Sequence, residues 1–194
     1  MNERYLIRRA LVVDAPEIAR VHVQAWRESY RDILSARTLA RLSVEQRRIV
    51  YSRHLADMGD SGAHFVVVEP GEGVVGFCSC GPRRSGRAEF AGEFYTVYLV
   101  DAAKRQGLGR RMMARMARWM VGQGFGSALV LVLKENHPAR QFYEHLGGRL
   151  CFEAPFTLVD EPQIEVGYGW DDLSPFLDPE PPSAHVLPLP RGDG

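Results

Sequence analysis

The sequence Lys104-Arg105-Gln106-Gly107-Leu108-Gly109-Arg110 stands between a strand pattern and a helix pattern. A glycine-containing turn at a helix N-terminus leaves several backbone N–H groups without helical partners and points them at one place. The helix dipole favours negative charge at that end. This segment carries cations there instead. The turn therefore predicts either a solvated basic surface or a bound polyanion, such as a pyrophosphate.

Two other phosphate-binding motifs fit this segment less well. A P-loop ends in Gly-Lys-Ser or Gly-Lys-Thr, and neither tripeptide is present. The dinucleotide-binding fingerprint needs a third glycine, but Met112 stands at that spacing. That fingerprint also belongs near the first strand, whereas this turn lies past the middle of the chain.

Hydrophobic periodicity and turn signals give the turn its place in a longer order of elements. Strands are predicted at residues 5–9, 63–69, 74–80, 93–100, 128–133, 149–156 and 164–168. Helices are predicted at residues 15–30, 44–56, 107–121 and 136–145. The order β, α, α, then a β meander, then β-α-β-α-β-β is typical of an α+β fold with a mixed sheet.

The C-terminal part of the chain differs in composition from the rest. Six of the twelve prolines fall within residues 174–194 of the 194-residue chain. A chain of this length fits one domain with a tail. We therefore expect one domain at residues 1–173 and a Pro-rich tail at residues 174–194, extended or docked without regular structure.

Charge and cysteine content limit the functional classes. Lys+Arg and Asp+Glu both number 24, and this zero net charge argues against bulk nucleic-acid or membrane binding. No secretion signal is recognisable and no apolar run approaches the roughly 20 residues that cross a bilayer, so we expect a cytoplasmic protein. Cys78 and Cys80 share a strand face, which favours two small core residues over a redox or metal-binding pair. The six histidines lack metal-ligand spacing, and no metal site is predicted.

A second motif follows the glycine turn on a predicted helix: Asn136-His137-Pro138-Ala139-Arg140-Gln141-Phe142-Tyr143-Glu144-His145-Leu146-Gly147. It is similar to the Asn-x-x-Ala-x-x-Phe-Tyr-x-x-x-Gly helix of the GCN5-related N-acetyltransferase (GNAT) superfamily. The turn itself resembles the superfamily signature (Gln/Arg)-x-x-Gly-x-(Gly/Ala), with Lys104 where Gln or Arg is usual. Two motifs in this order make the resemblance specific, and it covers about residues 5–170.

The resemblance implies a fold and a cofactor. The fold is α+β, with a mixed, mostly antiparallel central sheet, helices on both faces and a splayed strand pair that binds acetyl-CoA. The pantetheine arm would lie along the splayed strand at Val97, Tyr98 and Leu99. The remaining cofactor contacts would be the diphosphate-binding turn and the second motif, through Arg105, Gln106, Gly107, Leu108, Gly109, Arg110 and Asn136.

The resemblance also implies catalytic groups. Histone acetyltransferases of the superfamily have a general-base glutamate where this chain has Glu93, so Glu93 is the candidate base, directly or through water. The other interpretation of Glu93 is an exposed carboxylate at a strand start. Ribosomal-protein acetyltransferases use a glutamate on the next strand instead, where this chain has Leu131. Tyr143 matches the general acid, and a phenol of pKa about 10 would act mainly as a hydrogen-bond donor to sulfur. A backbone N–H near Val97 would polarise the thioester carbonyl.

The implied reaction transfers acetyl from acetyl-CoA directly to a primary amine of a small molecule or peptide in a ternary complex. Aromatic and acidic residues would surround that amine: Trp26, Glu28, Tyr30, Asp32, Glu153, Asp160 and Glu161. Two other functions stay open. A catalytically silent acyl-CoA sensor would keep the turn without needing Tyr143, and a nucleotide-phosphate binder would need only the turn. Because dimers are common in the superfamily, a homodimer is also among the expectations.

Overall fold

The computed structural model describes residues 4–57, 59, 61–84 and 89–177. The strands are β1 (Leu6–Arg9), β2 (Ala63–Glu69), β3 (Gly73–Pro82), β4 (Gly92–Leu99), β5 (Ala128–Leu133), β6 (Arg149–Leu158) and β7 (Glu161–Trp170). The helices are α1 (Ala15–Ser29), α2 (Ala36–Ala40), α3 (Val44–Asp57), α4 (Leu108–Gly122) and α5 (His137–His145). Short 3₁₀ turns lie at Val12–Asp14, Asp101–Ala103 and Ser174–Phe176.

The strands form one seven-stranded sheet in the order β1-β2-β3-β4-β5-β7-β6. The pair β4–β5 is parallel, and the other five neighbouring pairs are antiparallel. The parallel pair is possible because α4 supplies the crossover between its strands, as parallel neighbours require. The predicted α+β fold with a mixed, mostly antiparallel sheet is confirmed.

Helices cover both faces of this sheet. On β3, Phe77 packs against His22 of α1 and Tyr51 of α3. Three residues further along β3, the Cys80 thiol lies 3.8 Å from the carbonyl oxygen of Met116 in α4. Because successive side chains of a strand point to opposite faces, α1 and α3 cover one face and α4 covers the other.

The two cysteines of β3 belong to the core, as the sequence favoured. Both are buried under α4, and burial raises the pKa of the Cys80 thiol to about 12 and that of the Cys78 thiol well above its usual value. A protonated, inaccessible thiol is a packing group and a poor nucleophile or metal ligand.

Two local features were not predicted from the sequence. Asp14 is the N-cap residue of α1 by position, but its carboxylate accepts hydrogen bonds from the Arg8 guanidinium at 2.6 and 2.8 Å rather than from the helix backbone. Helix α2 was not predicted, because five residues are too few to show helical periodicity. The Ser35 hydroxyl caps it by accepting from the Thr38 N–H at 3.1 Å, and Glu161 of β7 accepts from both hydroxyls.

The beginning of the predicted tail packs on the domain. Ser174–Phe176 forms a 3₁₀ turn, and the buried Phe176 ring contacts Phe94 and Trp170. Residues 178–194 lie outside the described residues, so the boundary at residue 173 stays a prediction. In the described part of the chain, no helix is long and apolar enough to cross a membrane.

Candidate functional site

The parallel strands β4 and β5 separate after a short paired stretch. They pair only where Gly92, Glu93 and Phe94 face Ala128, Leu129 and Val130. Beyond that point β4 continues beside β3 as far as Leu99, while β5 continues beside β7 as far as Leu133. The two inner edges therefore diverge, and the splayed strand pair that the resemblance implied is confirmed.

An irregularity in β4 marks the start of this gap. Cys80 of β3 faces Phe94, whereas the preceding Ser79 faces Thr96, so Tyr95 is an extra residue on β4. A bulge of this kind bends its strand and increases the local twist. The Tyr95 hydroxyl donates to the Pro82 carbonyl oxygen at 2.5 Å, which ties the bulge to the end of β3. The bulge thus turns β4 away from β5 at the last pair that they share.

The predicted pantetheine-contacting residues lie on the open part of β4. Val97, Tyr98 and Leu99 face Cys78, Phe77 and Gly76 of β3 on one side, and no described residue of β5 pairs with them on the other. Backbone amide groups along this inner edge are thereby available to an extended ligand that carries amides of its own.

The glycine turn forms a cradle of backbone donors at the end of this edge. Helix α4 begins at Leu108, with Gly107 as N-cap in the left-handed region at φ 75°. The first helical hydrogen bond runs from the Arg111 N–H to the Gly107 carbonyl at 3.2 Å. Within the described residues, the backbone N–H groups of residues 107–110 have no acceptor. Arg105 also has a positive φ, 59°, which is unusual for a residue with a side chain.

The basic side chains around the cradle divide into two groups. Lys104 is held by Asp101, with Nζ 2.7 Å from Oδ1, and Arg111 donates to the Tyr5 carbonyl at 3.2 Å. Arg105 and Arg110 are exposed and have no ion pair in the part of the chain that the structure describes. The free positive charge at the cradle comes from these two arginines. Of the other predicted contacts here, Gln106 donates to the Ala102 carbonyl at 3.0 Å and Leu108 is buried in the core.

Asn136 and Tyr143 lie on the opposite side of the gap, at and within α5. The Asn136 side chain caps this helix by accepting from the Ala139 N–H at 3.3 Å. Tyr143 is buried against Phe142 and Trp170, and burial is the main cause that raises its pKa above the usual value. Its hydroxyl has no hydrogen-bond partner among the described residues. Tyr143 is therefore a neutral phenol whose O–H group is available to donate a hydrogen bond.

Trp26 of α1 and Tyr30, the residue that follows this helix, form an aromatic wall near Tyr143. Trp26 contacts Tyr30 edge to face, with the ring centroids 5.0 Å apart, and Tyr98 lies 6.4 Å from Trp26. Burial raises the pKa of Tyr30, and its contacts with Tyr98 and Asn136 lower that pKa in part. The predicted acceptor residues Trp26 and Tyr30 thus lie together with Tyr98 and Asn136, which are predicted to contact the cofactor.

Glu93 is buried, which excludes the interpretation as an exposed strand-start carboxylate. Only 2% of its surface is exposed. Its carboxylate accepts from the Arg84 backbone N–H at 2.9 Å and from the Arg84 guanidinium at 2.8 and 3.2 Å. The guanidinium carbon lies 3.6 Å from the centre of the Tyr95 ring. The candidate base is therefore neutralised by a cation that the bulge residue helps to hold.

A second carboxylate in this region was missed at the sequence level. Glu165 of β7 faces Leu133 of β5, beside the part of β5 that has left β4. It is half-buried, and burial together with the charge of Glu93 raises its pKa. No described residue forms a hydrogen bond or ion pair with its carboxylate. The signal in the sequence was an acidic residue inside the strand predicted at residues 164–168.

Four of the five acidic residues that were expected to surround the acceptor have other partners. Glu28 accepts from the Asp101 N–H at 2.8 Å, and Glu153 pairs with Lys134 at 2.7 Å. Asp160 pairs with Arg41 at 3.3 Å, and Glu161 accepts hydrogen bonds from the Ser35 and Thr38 hydroxyls at the start of α2. Asp32 is exposed on the loop after α1. Among the described residues, no group of three His, Cys, Asp or Glu side chains could hold a metal ion.

Comparisons with known proteins agree with this geometry. The pattern of the Acetyltransferase (GNAT) family matches residues 23–148. The uncharacterized N-acetyltransferase YuaI of Bacillus subtilis is 34% identical over 169 residues, which span 87% of this chain and 94% of YuaI.

Two solved structures share the fold. One is yncA, a putative acetyltransferase from Salmonella typhimurium with its cofactor acetyl-CoA, with a TM-score of 0.65 and 18% identity over 97% of this chain and 99% of yncA. The other is a mutant of spermidine N-acetyltransferase from Vibrio cholerae, with a TM-score of 0.64 and 17% identity over 91% of this chain and 98% of that protein.

Proposed function

The chain belongs to the acetyltransferase (GNAT) family, whose enzymes use acetyl-CoA as co-substrate, and from this premise we propose that it acetylates a primary amine. The amine belongs to a small molecule or a peptide, and it attacks the acetyl group directly while both substrates are bound. Acetyl-CoA supplies an activated thioester when it is bound. The chain's own residues bind it, orient it and move the protons.

The observation that carries this proposal is the continuity between the open edge of β4 and the cradle. Leu99 ends β4, a short 3₁₀ turn at Asp101–Ala103 follows, and the cradle at residues 107–110 comes next. A ligand that pairs with the edge through its amides would therefore bring a following diphosphate to the free N–H groups. Arg105 and Arg110 add two positive charges beside it, and the dipole of α4 has the favourable sign.

Tyr143 would stabilise the departing sulfur. The raised pKa keeps its hydroxyl protonated at neutral pH, so that it always offers a donor. The same shift makes it a poorer acid than a free thiol with a pKa of about 8.5. We therefore assign to Tyr143 a hydrogen bond to the thiolate sulfur rather than complete proton transfer. A backbone N–H near the bulge, close to Val97, would polarise the acetyl carbonyl in the same step.

Glu165 would bind the amine, and Glu93 would accept its proton. A cationic acceptor must bind, then lose one proton before it can attack. Glu165 has no cation of its own, so it suits the binding of an ammonium group against the aromatic wall of Trp26 and Tyr30. Glu93 would take the proton, directly or through water, once the incoming positive charge competes with Arg84 for its carboxylate.

One observation favours the alternative function, a silent acyl-CoA sensor. The carboxylate of Glu93 is fully buried and held by both the backbone and the guanidinium of Arg84. Both oxygens of this carboxylate already accept hydrogen bonds from Arg84, so an amine must displace Arg84 to reach them. If the pair never opens, the protein would bind acetyl-CoA without transferring the acetyl group.

An acceptor screen separates these functions. Thiol release from acetyl-CoA would be measured across polyamines, aminoglycosides, amino acids and peptide N-termini, with CoA affinity determined in parallel by calorimetry. Polyamines are included because spermidine is the substrate named for one protein of the same fold. Turnover on any amine supports the transferase. Tight CoA binding without turnover supports the sensor, and thermal stabilisation by ATP or NAD but not by CoA would support the nucleotide-phosphate binder.

A further inference from the structure

A second cationic site lies away from the gap, between the outer strands and the C-terminal half of α4. It is a cavity of about 330 Å³ lined by Arg9, Phe65, Arg115, Arg118 and Trp119. Arg9 and Phe65 face each other on β1 and β2. The helix residues Arg115 to Trp119 follow Gly107 by eight to twelve positions, which at 1.5 Å per residue is roughly 12–18 Å along α4. The cavity is therefore distinct from the cradle.

Aromatic rings hold two of the three guanidinium groups. The guanidinium carbon of Arg9 lies 5.6 Å from the ring centre of Phe65 and 5.9 Å from that of Trp119. Arg115 lies 5.6 Å from the same Phe65 ring. Such contacts restrain a guanidinium without neutralising its charge or using its N–H donors.

None of the three arginines has an acidic partner in the described part of the chain. Arg118 donates to the Leu177 carbonyl oxygen at 3.5 Å, and Arg9 and Arg115 have only their ring contacts. Other arginines do have carboxylate partners, for example Arg8 with Asp14 and Arg84 with Glu93. Three like charges around one cavity repel each other, so that the free protein would gain by binding a counter-charge there.

We propose that this cavity binds a small oxyanion with at least two negative charges, of the diphosphate or polycarboxylate class. Each guanidinium presents paired N–H donors that match two oxygens of a phosphate or carboxylate. A ligand with two or three such groups can engage several arginines at once, whereas a singly charged anion cannot. The volume is at the lower end of the range for small-ligand pockets, about 300–1,000 Å³.

Calorimetric titration of the full-length protein with pyrophosphate, citrate and acetate, at constant ionic strength, tests this proposal. Each titration is run with and without saturating CoA, because an anion can also bind at the cradle. Anion binding that persists at saturating CoA is assigned to the cavity. We expect pyrophosphate, citrate or both to bind in the presence of CoA. Acetate should bind at least about tenfold more weakly, because losing one charge-assisted hydrogen bond reduces the affinity by about that factor. The stronger of the two shows whether phosphates or carboxylates are preferred.

Substitutions localise the site. Arg9→Gln and Arg115→Gln should each weaken CoA-insensitive binding about tenfold or more. Arg115→Lys keeps the charge but not the paired donors, so its anion affinity should lie between those of Arg115→Gln and the unaltered protein. Arg53→Gln on the exposed side of α3 is the matched control and should bind like the unaltered protein. Arg9, Arg115 and the control residue Arg53 are all exposed, and circular dichroism checks that each variant is folded. Absence of CoA-insensitive binding, or equal binding by the Arg9, Arg115 and Arg53 variants, would overturn the proposal.

Discussion

Gly109 of α4 and Phe142 of α5 approach so closely that a Cβ atom on Gly109 would lie 2.9 Å from the Phe142 Cζ atom. This contact joins the helix that carries the cradle to the helix that carries Tyr143, the next residue after Phe142. The glycine is needed here for close packing, because its own backbone lies in the ordinary helical region. The distance between the cradle and the phenol therefore depends on this contact.

Substitution of Gly109 by Ala should move the two helices apart. We expect a destabilisation of about 1–3 kcal/mol from overpacking and a loss of turnover larger than the loss of CoA affinity. The double variant Gly109→Ala/Phe142→Leu should recover part of the stability. Gly122→Ala, at the end of the same helix where a Cβ meets no atom within 4 Å, is the control and should be neutral or stabilising. If the unfolding temperature of Gly109→Ala equalled that of the unaltered protein, the contact would not determine the separation of the two helices.

Gly107 has a different requirement, which is its backbone conformation. A Cβ at Gly107 meets nothing within 4 Å, but its φ of 75° strains any residue with a side chain by about 1 kcal/mol. Gly107→Ala should cost that stability and, in addition, weaken CoA binding because the cradle would relax. Gly124→Ala is the matched control, since Gly124 has φ 86°, open surroundings and no place in the cradle. Equal CoA affinities for the two variants, measured by calorimetry, would contradict a diphosphate site at Gly107.

Some elements could be predicted from the sequence because their signals are local. The residues of β2 and β5 match the predicted 63–69 and 128–133 at both ends, since Gly62 and Pro70 bound the first run and Ser127 and Lys134 bound the second. The glycine turn was placed correctly at the start of α4 for the same reason. The splay of β4 from β5 came only from the resemblance, because strand pairing is a relation between distant segments.

The rest depended on contacts that no local pattern encodes. The buried Glu93 carboxylate is paired with Arg84, and the Arg84 guanidinium in turn lies over the ring of the bulge residue Tyr95. Helix α2 exists because Glu161, far along the chain, holds Ser35 and Thr38. The site roles of individual residues, the cytoplasmic location and a homodimer stay predictions.

Removal of the Tyr143 hydroxyl should affect catalysis without affecting folding. Tyr143→Phe deletes a group that has no partner among the described residues, so its unfolding temperature should hardly change. Turnover should fall at least about tenfold, with CoA affinity unchanged, because the donor acts only on the departing sulfur. Tyr168→Phe provides the contrast. That hydroxyl donates to Glu144 at 2.5 Å and accepts from Arg140 at 3.1 Å, so its loss should reduce stability by about 1–2 kcal/mol. Full activity of Tyr143→Phe would remove it from the mechanism.

The roles of Glu93 and Glu165 can be separated by steady-state kinetics on an accepted amine. Glu165→Gln should raise the KM for the amine and leave kcat nearly unchanged, as expected for loss of binding alone. Glu93→Gln should lower kcat, most strongly at low pH where fewer amines are already neutral. Arg84→Gln tests the pair, since it should release Glu93 and shift the pH profile. An unchanged pH profile in both the Glu93 and Arg84 variants would exclude Glu93 as the base.

Stability should decrease in mild acid because of two buried histidines. One hydrogen bond of 2.7 Å joins the Nδ1 atom of His22 to the Tyr51 hydroxyl. The Nε2 atom of His22 is buried and has no hydrogen-bond partner among the described residues. Burial, followed by the charge of Arg47, lowers the pKa of His22 to about 3. Burial, followed by the charges of His54 and Arg9, lowers the pKa of His64 to about 4.

A histidine with a lowered pKa in the folded state takes up its proton mainly in the unfolded chain, where the pKa is about 6.5. The stabilisation is therefore complete above that pH and is lost as the pH falls towards 4 and 3. Between pH 7 and 5 each histidine should reduce the free energy of unfolding by about 2 kcal/mol. Urea denaturation at several pH values measures this slope. His64→Gln should remove about half of it, whereas His145→Gln, at an exposed position of α5, should leave it unchanged. If the slope of the double variant His22→Gln/His64→Gln equalled that of the unaltered protein, other groups would be responsible for the acid sensitivity.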